Sequence, residues 1–117
     1  MSHQTFQFEQ LSEKCLGNQE LVQEILVRFQ ASLSQVVREI EEAVKRNRQA
    51  QVKELAHHLK GEAGTMCATE ISSLASQVYD AADVPANGQL PQLVSRLSEE
   101  ASNFHRIVNE YLTVEIH

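Results

Sequence analysis

The chain has 117 residues, the length of one domain, and its 42% apolar content suffices for one core but not two. With 16 acidic against 10 basic residues its formal charge is -6, a balance that repels phosphate backbones and anionic lipid and argues against nucleic acid as a partner. No segment approaches the roughly 18 consecutive apolar residues a membrane span needs, and MSHQTFQFEQ has neither the basic start nor the apolar run of a signal peptide, so a soluble, cytoplasmic, monomeric protein is expected.

From the N-terminus, Phe6, Phe8, Leu11, Cys15 and Leu16 predict a short opening helix that ends at Gly17. Asn18 is placed to cap a second segment, in which Leu21, Val22, Ile25, Leu26, Phe29, Leu33, Val36, Val37, Ile40 and Val44 recur at spacings of three and four. That segment, 18–46, reads either as one long helix or as two with a break near Ser32–Ser34. Lys45 and Arg46 suit the negative end of a helix dipole, and Asn47 tolerates the left-handed conformation that stops a helix. Val52, Leu55, Ala56, Leu59, Ala63 and Met66 then predict a helix from about Gln49 to Met66.

Thr69 is the expected cap of the next helix, which presents Ile71, Leu74, Ala75, Val78 and Ala82 and stops before the loop DVPANGQ. Pro91 suits the first turn of the last helix, where its missing amide hydrogen costs nothing. Leu93, Val94, Leu97, Ala101, Phe104, Ile107, Val108 and Tyr111 carry that helix towards the C-terminus. The fold class expected is all-α: an up-and-down four-helix bundle with a short additional N-terminal helix, a single domain over 1–117. The start at Met1 sets the expectation of a whole protein. Cys15 and Cys67 form no CxxC and are expected to be reduced thiols.

The third long helix carries the unusual residues. At about 100° per residue, its apolar positions fall within a sector roughly 100° wide, as a core-facing stripe should. His57, Gly61, Gly64, Lys53 and Lys60 share the opposite, solvent face, whereas His58 lies about 100° from His57. Glycine in mid-helix costs about 1 kcal/mol relative to alanine, so two of them forgo roughly 2 kcal/mol. They follow His57 by one and two turns and leave its imidazole above a bare surface. Lys60 and Lys53, within a turn of His57, add positive charge suited to an anionic reactant. The pattern describes an exposed imidazole nucleophile for phosphoryl groups; His58, His3, His105 and His117 carry no such signal.

The run AHHLKGEAGTMCA, Ala56 to Ala68, resembles the signature of histidine-containing phosphotransfer (HPt) domains of bacterial phosphorelays, approximately A-H-x-L-K-G-x-A-x-x-x-G-A. His57, Leu59, Lys60, Gly61, Ala63 and Ala68 fall on it in register, and the register selects His57 rather than His58. The resemblance implies a helical bundle that acts as a covalent carrier and not an enzyme: His57 is the phosphoacceptor, Lys60 gives electrostatic support, and Gly61, Gly64 and Lys53 lie at the partner surface. Its implied partners are receiver domains of a hybrid sensor kinase and of a response regulator. No cofactor or metal is expected on this chain, Mg²⁺ being supplied by the receiver. Cys67 departs from the signature, which usually has glycine there; a residue with a β-carbon at that turn must avoid positive φ or carry strain.

Two other readings compete. Glu54-x-x-His57 spells the ExxH of di-iron bundles, but the chain has no second copy, and the pair faces away from the apolar stripe. The other is an interaction module that keeps the HPt fold and transfers nothing, hinted at by Cys67 alone.

Overall fold

A computed structural model describes the backbone of residues 8–116 and the side chains of 8–113. Among these residues five α-helices follow one another: α1 (Phe8–Lys14), α2 (Gln19–Lys45), α3 (Gln49–Thr65), α4 (Thr69–Ala81) and α5 (Leu90–Ile116). Among the described residues there is no strand, and no helix is long and apolar enough to cross a membrane. The predicted Phe6, with His3 and His117, lies outside the described residues.

Helices α2 to α5 close a ring in which α2 packs on α3 and α5, and α4 on α3 and α5; α1 lies against α2. The ring closes because each helix has one apolar stripe to bury. Leu26, Leu33 and Ile40 of α2, Leu59 of α3, Ile71 of α4, and Leu97 and Phe104 of α5 are fully buried. Phe29 and Phe104 meet edge to face at 5.3 Å across the α2–α5 seam, a geometry that pairs ring edge with ring face.

Segment 18–46 is one helix, 27 residues from Gln19 to Lys45. The serines near its middle do not break it because they bond outward. The Ser32 hydroxyl donates to Glu62 Oε1 at 3.0 Å, Ser34 Oγ lies 3.0 Å from His105 Nε2, and Leu33 between them is in the core. Asn18 caps α2 as expected, its Oδ1 accepting from the Leu21 amide at 3.1 Å.

Three helices end by the same device. The third amide beyond α1, α2 and α3 reaches back five residues (Gly17 to Ser12, Arg48 to Ala43, Ala68 to Ala63), and the residue before it has positive φ. Those residues are Leu16 (φ 55°), Asn47 (57°) and Cys67 (61°). Asn47 therefore behaves as expected. At α1, however, the helix stops at Lys14, three residues before the predicted end at Gly17, and the turn after it holds both Leu16 and Gly17 (φ 74°) in left-handed backbone. Thr69 is likewise the first residue of α4 and not its cap; the cap position is Ala68, which offers no side-chain acceptor. Leu55 is half-buried, at the edge of the stripe and not inside it. Pro91 sits in the first turn of α5, where the Leu93 amide bonds back to Gln89.

Candidate functional site

Helix α3 presents opposite faces to the core and to solvent. Val52, Ala56, Leu59 and Ala63 are buried, while His57, Lys60, Gly61 and Gly64 are exposed. His57, Lys60, Gly61 and Gly64 line one open depression together with Lys14 of α1, Thr65 and Ser72 of α4. Neither ring nitrogen of His57 has a hydrogen-bond partner among the described residues. Its neighbour is the Tyr79 ring, tilted by 50° with centroids 6.0 Å apart.

The surface beside His57 is bare for no reason internal to the fold. A β-carbon placed on Gly61 would meet nothing within 4 Å, and one on Gly64 would touch only Ser72 Oγ at 3.7 Å, an ordinary contact. Alanine therefore fits at both positions. Gly61 forgoes about 1 kcal/mol of helix propensity; Gly64, next to last in α3, forgoes less than its mid-helix value. Side chains fasten the backbone below the depression: Ser72 Oγ of α4 donates to the Lys60 carbonyl at 3.0 Å, and Thr65 Oγ1, within α3, to the Gly61 carbonyl at 3.1 Å. The Lys14 ammonium donates to the Thr65 carbonyl at 3.0 Å, a cation at the negative end of α3.

The two lysines assigned to this face differ. The Lys60 ammonium has no ion-pair or hydrogen-bond partner among the described residues. Lys53 is engaged: its ammonium lies 2.6 Å from Asp83 Oδ1 and 4.6 Å from the centre of the Tyr79 ring. The hydrogen bond to Asp83 holds its pKa above the ordinary lysine value of 10.5. Lys53 thus braces Tyr79, which in turn flanks His57. Sequence reasoning missed Tyr79, Asp83 and Lys14, because none shares a helix with His57 and no spacing rule connects them to it.

His57 and His58 diverge as the wheel requires. His58 Nε2 stands 4.0 Å from Glu62 Oε1, on the side facing α2 where Ser32 also reaches Glu62. His105 is tied down on α5, with Nδ1 3.3 Å from Gln30 Nε2 and Nε2 3.0 Å from Ser34 Oγ. Burial holds its pKa below the usual histidine value. Among the described residues no group of three or more His, Cys, Asp or Glu side chains could hold a metal ion.

Cys67 occupies the strained option: it has positive φ and is 3% exposed, its thiol turned into the core beyond the end of α3. The distortion stays in the α3–α4 turn, ten residues from His57. What remains at the site is an exposed, unencumbered imidazole beside a cation and a bare helical surface, chemistry suited to in-line attack on a phosphoryl group held by another molecule. A family model described as Hpt domain matches residues 24–108. No curated protein and no solved structure matches the chain.

Proposed function

Because the chain belongs to the Hpt domain family, whose members are phosphotransfer modules of phosphorelay signalling, we propose that it carries a phosphoryl group on His57 between the aspartates of two receiver domains. The observation that carries this reading is the space beside His57. Two helical glycines stand where the fold itself has room for β-carbons, at a cost in helix propensity, so the bare surface serves a molecule that docks from outside.

In the forward step a lone pair on an imidazole nitrogen of His57 attacks the phosphorus of a receiver's aspartyl phosphate. The N–P bond forms as the acyl phosphate P–O bond breaks, and the aspartate leaves as a carboxylate. The return step to a second receiver runs the same exchange backwards. The lone pair of a neutral imidazole is itself the nucleophile, so the attack needs no separate base to activate it. The loose transition state asks chiefly for positioning and charge neutralisation. Lys60 contributes charge from this chain, and the receiver's own Mg²⁺ and cations contribute the rest. Tyr79, braced by Lys53, limits the ring on one side. Incubation with phosphorylated receivers tests the reading: label must appear on the wild type and be acid-labile and base-stable, as a phosphoramidate is.

A further inference from the structure

The depression that holds His57 is completed by a residue from outside the segment matched by the family. Lys14 belongs to α1, which precedes residue 24, yet it lines that depression with His57 and Lys60. Its bond to the Thr65 carbonyl fixes the end of α1 against the end of α3. Two residues further on stands Leu16, the most exposed large apolar residue described, at 94%. Leu16 packs nothing, and its φ of 55° is one that glycine adopts freely and a leucine does not. The fold has no use for a leucine there.

We propose that the end of α1, through Lys14 and Leu16, is part of the receiver-docking surface and selects among receivers. This rests on the reading of His57 as phosphoacceptor. The occupant is a receiver domain because the end of α1 is continuous with the His57 surface, and because its charge fits. In a chain of net charge -6, Lys14 and Lys60 border the histidine and neither is in an ion pair among the described residues. The aspartyl phosphate that a receiver presents is itself an anion. Leu16 supplies exposed apolar surface outside that charged centre, and covering it removes that surface from water.

The test measures binding and label transfer against a panel of purified receiver domains, phosphorylated with acetyl phosphate and Mg²⁺, for the wild type, Leu16→Gly, Lys14→Gln, Lys14→Arg and the control Val27→Ser. Val27 is an exposed apolar residue of α2 outside the His57 depression. Leu16→Gly removes the unfavourable φ, so its melting temperature should equal or exceed that of the wild type. Its affinity for the preferred receiver should nevertheless fall about fivefold or more, and preference among receivers should narrow. Lys14→Gln keeps a donor for Thr65 but loses the charge; it should weaken binding and flatten its salt dependence, and Lys14→Arg should restore both. Val27→Ser should change neither. If Leu16→Gly and Lys14→Gln bind and accept label within twofold of the wild type while the wild type transfers normally, the inference is overturned and the reading of His57 stands. If Leu16→Gly alters the self-association of the isolated chain and not receiver binding, the occupant is a second copy and the inference is again overturned. If the wild type accepts label from no receiver, the reading of His57 fails and the inference falls with it.

Discussion

Replacing Gly61 with alanine should make the protein more stable and a poorer phosphoryl acceptor. Gly61 lies inside α3, and a β-carbon there meets nothing within 4 Å, so the substitution gains helix propensity and meets no clash. The gain is about 1 kcal/mol. An unfolding entropy of about 2.1 cal/mol/K per residue, over a chain of this length, converts that to a rise of about 4 °C in melting temperature. Acceptance from a phosphorylated receiver should fall, modestly for alanine and severely for Gly61→Gln or Gly64→Gln, whose side chains stand where the partner approaches. Calorimetry or thermal circular dichroism reads the first quantity, and the rate of label transfer reads the second. A drop in melting temperature for Gly61→Ala would mean that the fold needs the glycine. Undiminished transfer by the glutamine variants would mean that no partner comes close there. Either result refutes the argument from bare surface.

Lys60→Ala should reduce acceptance only partially, by up to about fivefold, because an exposed charge shared with the receiver's own cations is worth at most about 1 kcal/mol; the deficit should shrink at high salt, and a salt-independent loss would count against an electrostatic role. Cys67→Gly relieves a positive φ worth about 1 kcal/mol but removes a buried side chain worth about 2 kcal/mol, so urea denaturation should show a net loss of about 1 kcal/mol; a gain would show that strain outweighs packing at this turn. His105, its pKa lowered by burial, takes up a proton less readily folded than unfolded. Its contribution is therefore full above the unfolded value near 6.5 and is lost as pH falls below it towards the folded value. The stability of the wild type relative to His105→Gln should decline from pH 7.5 to pH 5, and a constant difference would contradict the assignment.

Much of this was legible in the sequence because it is governed by local rules. The period of apolar residues locates α2 to α5, and Asn18, Asn47 and Pro91 mark their ends through preferences that act over four or five residues. The same periodicity separates His57 from His58, which the structure puts on different sides of α3. Tertiary contact decided the rest. Nothing within 18–46 reveals whether Ser32 and Ser34 interrupt the helix; their bonds to Glu62 and His105, on two other helices, settle it. Lys53 reads as a free surface cation on the wheel, but its partners Asp83 and Tyr79 lie on or beyond α4. Gly17 takes the left-handed backbone natural to glycine, but Leu16 before it does so as well, and no preference within α1 anticipates that. Lys14 and Tyr79 reach the site across helix–helix seams, where spacing along one helix carries no information.

The most direct test of His57 as the phosphoacceptor compares label transfer from phosphorylated receiver domains to the wild type, His57→Gln and His58→Gln. Both histidines are exposed, so either variant should keep its fold, and circular dichroism confirms that independently. The wild type and His58→Gln should take up acid-labile, base-stable label at similar rates, while His57→Gln takes up none. Label that persists without His57 and vanishes without His58 would contradict the assignment, and a wild type that no receiver labels would contradict the carrier function itself.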